Sequence, residues 1–195
     1  MRQTGLTGIA HLPWGAHICH FFDDRADLLN LVVPYFKAGL ENNEYCMWVT
    51  APPVRQSDAF SALLEVLPDL ERYLKSGQLE ILDYRNWYLR DGLLDADRVL
   101  EAWSSKSAHA QKRGFDGARV SGNPIWLESR ADWDDFMNYE ALVDKGLAGS
   151  RLIALCTYHM ERCSAQDVIN VMMNHRSTVF PTSQGWELAP SKEEI

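Results

Sequence analysis

The chain has no run of about 18 consecutive apolar residues, so no segment reads as a membrane span. It has no Lys/Arg cluster dense enough to follow a phosphate backbone. Its 19 basic residues are outnumbered by 27 acidic ones, for a net charge of −8, and direct nucleic-acid binding by this segment is not expected. The opening MRQTGLTGIAHLPWG has no apolar core of the signal-peptide kind, which leaves a cytoplasmic setting as the expectation. No CxxC pair occurs, so a zinc ribbon or thioredoxin-like motif is missing. The four cysteines, Cys19, Cys46, Cys156 and Cys163, are expected to be free thiols in a reducing compartment. Three catalytic or nucleotide signatures are missing as well: G-x-x-x-x-G-K-[ST], G-x-G-x-x-G and G-x-S-x-G. There are no internal repeats and no low-complexity segments.

What the chain does have is a core. At 195 residues with 46% hydrophobic and 24% charged, it reads as one ordinary globular domain. Short apolar runs alternate with helical patterns. HICHFF (17–22), YCMWVTA (45–51), LEILDY (79–84), GARVSG (117–122) and RLIALCTYH (151–159) read as strands. Helices are expected at 25–43 (kinked at Pro34), 57–67 with Ser57 as cap, a short piece from Pro68, 95–114 from Asp95, 132–147, and 165–176 capped by Ser164. The strands are apolar on both faces, the pattern of a parallel sheet covered on both sides. The fold class is therefore α/β: a three-layer α/β/α sandwich with a mainly parallel sheet. A last strand, STVF, of either direction is expected. The domain runs from 15 to 181, between an N-terminal extension (1–14) and a polar C-terminal tail or linker (182–195) that leads toward an effector.

In an open parallel sheet, ligands bind outside the carboxyl ends of the strands. Those ends carry Asp23 and Asp24, Thr50, Arg85 to Tyr88, Asn123 to Trp126, and His159 to Arg162. The set is aromatic-rich with few polar groups, which suits a small organic molecule better than a phosphate.

The stretch GAHICHFFDD places His17, Cys19 and Phe21 on one strand face, with Ile18, His20 and Phe22 on the other. The favoured reading is a pocket wall, or the core just beneath it, with no metal and no cofactor. The alternative is a metal- or redox-responsive sensor built on His17, Cys19 and Cys156, which are suitable ligand types. A second alternative is an enzyme with a cysteine nucleophile. The pair Cys156 and His159 serves that poorly, since residues three apart on a strand face opposite sides. Arg119 sits mid-strand, where a guanidinium needs an acidic partner. Glu140 and Glu44 are the candidates, with a structural ion pair and a ligand anchor both open.

Taken in order, several blocks resemble the MEDS domain, the methanogen/methylotroph DcmR-type sensory domain. They are GAHICHFFDDRADLLNLVVPYFKAGLENNEYCMWVT, LEILDYRNWYLRDGLLDADRVLEAW, GFDGARVSGNPIWL, NYEALVD and LIALCTYHMERCSAQDVINVMMNH. The resemblance spans roughly Gly15 to Phe180. It implies a RecA/KaiC-like fold without a phosphate loop, and a non-enzymatic role in sensing small, hydrocarbon-derived compounds. It also implies an effector such as a histidine kinase or a helix-turn-helix regulator, and a homodimer is compatible with it. Positions matching the family are His17, Cys19, Glu44, Tyr88, Arg119, Trp126, Glu140, Cys156, Tyr158 and His175. Asn123 and His159 stand where acids are usual, and Arg176 where proline is common. The expected ligand-binding set is His17, Cys19, Tyr88, Arg119, Asn123, Trp126, Tyr158 and His159.

Overall fold

Strands β3 (His17–Phe22) and β4 (Tyr45–Thr50) have almost no exposed side chain on either face. Such strands need cover on both sides, and the computed structural model, which describes residues 1–191, supplies it. A hairpin of β1 (Arg2–Leu6) and β2 (Ile9–Leu12) comes first. Then follow β3, α1 (Arg25–Glu41), β4, α2 (Gln56–Val66), α3 (Leu70–Lys75) and β5 (Leu79–Asp83). Next come α4 (Tyr84–Tyr88), a two-residue ladder of β6 (Leu89–Arg90) with β7 (Leu93–Leu94), α5 (Ala96–Lys112) and β8 (Ala118–Gly122). The described chain closes with α6 (Arg130–Leu147), β9 (Leu152–His159), α7 (Ala165–Asn174), β10 (Ser177–Thr182) and β11 (Gly185–Pro190).

The main sheet has the order β11-β10-β3-β9-β8-β4-β5. Every neighbouring pair is parallel except β10 with β11. The five strands read from sequence are parallel as expected, since each is joined to the next through helix. On one face Ile18, Phe22, Trp48 and Leu155 pack with Leu28, Phe36, Leu63 and Leu70 of α1 to α3. On the other, Cys19, Met47, Val120, Ala154 and Tyr158 pack with Trp103, Phe136, Val143 and Val171 of α5 to α7. The alternation expected along β3 is therefore real and sorts its residues between two cores.

Several expectations need correction. The stretch read as a polar tail contains β11, which pairs with β10 along its whole length and packs Trp186 and Leu188 on the core. Residues 192–195 of that tail lie outside the described residues. The N-terminal extension packs as well, burying Leu6, Ile9 and Leu12 and laying β1 along α1. Helix α2 starts two residues earlier than Ser57 as cap allows, with Arg55 at the cap position. Asp58 accepts the backbone N–H of Arg55 at 2.9 Å, so the first turn is fixed from its third residue. Helix α1 runs through Pro34, as the helix expected over 25–43 does, and lies between the sheet and β1.

The buried Arg119 explains how β1 docks. Its Nε and Nη2 reach the two oxygens of Glu44 at 2.7 and 3.1 Å, and Arg2 Nε reaches Glu44 at 2.7 Å. Its remaining donors go to the carbonyls of Tyr35 (2.7 Å) and Gln3 (2.8 Å). Gly39 makes room for this, because a Cβ there would stand 2.8 Å from Cys46 Sγ and 3.0 Å from the Arg119 side chain. Every long arm of the guanidinium is engaged, so the structural ion pair with Glu44 is the reading that holds and Glu140 is not its partner.

Candidate functional site

His17 opens β3 on the face toward α6. Its Nε2 lies 3.1 Å from Glu140 Oε2, and its Nδ1 lies 3.4 Å from Asp144 Oδ1, one helical turn on. Burial opposes a charge on this imidazole, but the Asp144 and Glu140 carboxylates outweigh it and hold His17 above its ordinary value. Cys156 of β9 brings Sγ to 3.5 Å from His17 Nε2 and 3.7 Å from Glu140 Oε2. His175, just after α7, sets its ring 3.9 Å from that of His17, with Nε2 3.5 Å from the same Glu140 oxygen. Its Nδ1 meets the Val171 carbonyl at 2.7 Å. Burial pushes the Cys156 thiol well up, and Glu140 and Cys19 push it further. In the absence of a cation it is a thiol, which works against a nucleophile at this position.

Cys156 and Glu140 also line a cavity of about 690 Å³ between α5, α6, β8 and β9. Its walls are largely apolar and aromatic, from Leu100, Trp103, Val120, Val143 and Leu147. Ser107, Tyr88 and the two cluster residues supply polar atoms. Trp103 donates to the Tyr139 hydroxyl at 2.7 Å, so that wall is internally satisfied. Tyr88 enters from α4 over Gly122, where a Cβ would stand 2.5 Å from its hydroxyl. Burial pushes its phenol far up, so it faces the cavity as a neutral hydroxyl.

A smaller cavity, about 220 Å³, lies at the strand carboxyl ends and is lined by Tyr158, His159, Trp133 and Arg162. The Tyr158 hydroxyl, Trp133 Nε1 and His159 Nδ1 are buried there without a hydrogen-bond partner among the described residues.

The eight residues expected to form one site are thus dispersed. Tyr88 lines the large cavity, and Tyr158 and His159 line the small one. His17 lies behind Cys156 and Glu140. Cys19 is fully buried, with Sγ 3.3 Å from Thr178 Oγ1, and does not join His17. Arg119 belongs to the opposite core. Asn123 holds its own loop, accepting from the Ile125 N–H at 3.2 Å. Trp126 stacks between Tyr84 and Tyr88, at 5.7 and 5.6 Å between centroids. Sequence reasoning missed Glu140 as a partner of His17, and missed Asp144 altogether. Their i, i+4 spacing on one helix was the available signal.

The turn from β3 to α1 is only Asp23-Asp24, and the Asp24 side chain caps α1 by accepting the Asp27 N–H at 2.9 Å. In phosphate-binding α/β proteins this helix end receives the phosphates. Here it already carries a carboxylate.

Comparison with known proteins agrees with this architecture. The family model described as "MEDS: MEthanogen/methylotroph, DcmR Sensory domain" matches residues 16–176. The structure is similar to a KaiC-like protein, PH0186, from Pyrococcus horikoshii OT3, with a TM-score of 0.68 and 14% identity, covering 97% of this chain and 88% of that one. It is also similar to the flagellar accessory protein FlaH from Methanocaldococcus jannaschii, with a TM-score of 0.59 and 13% identity, covering 93% and 80%. No curated protein matches the sequence. At these identities the structural likeness speaks to fold, which is RecA/KaiC-like without the phosphate loop.

Proposed function

Since the chain belongs to the MEDS family of sensory domains, we propose that it binds a small, mainly apolar organic molecule in the cavity between α5 and α6 and relays occupancy to an effector. The observation that carries this reading is the cavity itself. About 690 Å³ is within the range of small-molecule sites, and an apolar lining with a few converging polar groups is their usual chemistry. A hydrocarbon derivative with one polar end fits, its chain against Val120, Val143 and Leu147 and its polar end toward Tyr88 or Glu140. The role is non-enzymatic, in keeping with a thiol pushed up rather than down at Cys156.

A route outward exists. Helix α6 forms one wall, and Asn174 at the end of α7 donates to its Met137 carbonyl at 2.9 Å. Helix α7 leads directly into β10 and β11. A ligand that favours one setting of α6 would shift the α7–β10 junction by population. The effector, a histidine kinase or helix-turn-helix regulator, and a cytoplasmic setting belong to this proposal. Among the described residues no helix is long and apolar enough to cross a membrane.

The test is thermal stabilisation by short-chain alcohols, ketones and alkyl halides. Ligand at a hundred times Kd adds about 2.7 kcal/mol, or roughly 5–10 °C for a chain of this size. Gly146→Phe should abolish the shift, because Gly146 lines the cavity and a Cβ there meets nothing within 4 Å. A cysteine-enzyme reading would instead be favoured by a Cys156 that iodoacetamide modifies faster than free cysteine.

A further inference from the structure

We propose that His17, Glu140, Cys156 and His175 form a binding site for one borderline divalent transition-metal ion of the zinc class. The inference goes beyond the organic-ligand reading and stands without it. One donor atom from each residue lies within 4.8 Å of all the others. Four of the six separations lie close to those of a coordination shell. Ligand atoms bound tetrahedrally at about 2.0–2.3 Å stand about 3.3–3.7 Å apart. Here His17 Nε2 to Glu140 Oε2 is 3.1 Å, Cys156 Sγ to His17 Nε2 is 3.5 Å, His175 Nε2 to Glu140 Oε2 is 3.5 Å, and Cys156 Sγ to Glu140 Oε2 is 3.7 Å.

Three further features separate this cluster from an incidental polar contact. The first is orientation. His175 turns Nδ1 to the Val171 carbonyl at 2.7 Å and His17 turns Nδ1 toward Asp144 at 3.4 Å, so both Nε2 atoms face Glu140 at the centre, and His17 Nε2 becomes a donor once it gives up its proton. Metal-binding imidazoles are held in this way, by a carbonyl or carboxylate on the far nitrogen. The second is charge. Glu140 is 2% exposed, yet among the described residues its ion-pair partners within 4.0 Å are the two histidines and no Lys or Arg. Glu44, equally buried, has two arginines. Protonated His17 can compensate this buried carboxylate, and a metal ion takes over that part when the imidazole gives up its proton. A divalent ion with the Glu140 carboxylate and the Cys156 thiolate gives a neutral centre, the Cys156 thiol proton and the proton that the carboxylates hold on His17 both leaving to solvent on binding. The third is access. Cys156 and Glu140 line the large cavity, so an ion reaches the donors from that side. Two nitrogens, one sulfur and one oxygen suit zinc, cobalt or ferrous iron better than the hard cations magnesium or calcium. Cys19 is not a ligand, since its Sγ turns to Thr178.

Cobalt(II) is the probe. Reduced, chelator-treated full-length protein titrated with Co²⁺ should bind one equivalent, giving the intense visible bands of a tetrahedral site and a sulfur-to-metal charge-transfer band. Zinc should displace it stoichiometrically. Cys156→Ser should remove the charge-transfer band, and Cys163→Ser should leave it intact. Asp144→Asn should keep the spectrum but weaken affinity by roughly 10–100-fold. Should Cys156→Ser fail to fold, peptide mapping replaces it: zinc should protect Cys156 from iodoacetamide while Cys163 still reacts. Folded wild-type protein that takes up no stoichiometric Co²⁺ overturns the proposal. So does a charge-transfer band that survives Cys156→Ser, or a Cys156 that stays open to alkylation in zinc-loaded protein.

Discussion

Nε2 of His17 meets Oε2 of Glu140 at 3.1 Å, across 123 residues of chain. The contact joins β3, an inner strand of the sheet, to the helix that walls the large cavity. A molecule in that cavity therefore touches, through Glu140, the groups that hold β3, β9 and the end of α7 together.

Arg119 is expected to be a stability residue. Arg119→Met leaves Glu44 buried beside Arg2 alone and strips the carbonyls of Tyr35 and Gln3 of their donors. Losing one partner of a buried pair costs about 3–5 kcal/mol, readable by urea denaturation. Unchanged stability together with a lost ligand response would restore the ligand-anchor reading.

The segment after Thr182 is expected to be part of the domain. Removing residues 183–195 takes away β11, with Trp186 and Leu188, and exposes β10 as an edge. The truncated protein should melt several degrees lower. An identical melting curve would return the segment to the status of a linker.

A pH effect should come from His20. It is buried against β10 and β11, with Nδ1 donating to the Val179 carbonyl at 3.0 Å, Nε2 3.6 Å from Asp27 and the Trp186 ring edge-on at 5.3 Å. Burial lowers its pKa, with Val179, Asp27 and Asp23 pulling the other way. The unfolded chain therefore takes up a proton first, at about pH 6.5. Stability from this group is complete above that value and declines as pH falls toward the lower folded value. His20→Asn, which retains a donor for Val179, should flatten that part of the stability curve. Superimposable curves for the two proteins would contradict this.

Local patterns carried most of the fold. The doubly apolar strands, the Asp95 and Ser164 caps and the buried state of Arg119 were all legible, because each is decided within a few residues or by a single desolvated charge. Strand β11 was readable too, in the alternation of Trp186 and Leu188, but its polar neighbours masked it. Helix α4 is one turn long, too short for periodicity to speak. The cluster around Glu140 was not legible, since its members come from β3, α6, β9 and the end of α7, and only the topology brings them together. The same topology dispersed the expected ligand set, placing Tyr158 and His159 at the small cavity and Arg119 on the other core.

The most direct measurement is a methyl-resolved NMR titration with a short-chain alcohol or alkyl halide. Saturable shifts at Val120, Val143 and Leu147, absent in Gly146→Phe, are expected. Shifts confined to the neighbourhood of Tyr158 and Trp133, or no saturable shifts with any of these compounds, would contradict ligand sensing in the cavity between α5 and α6.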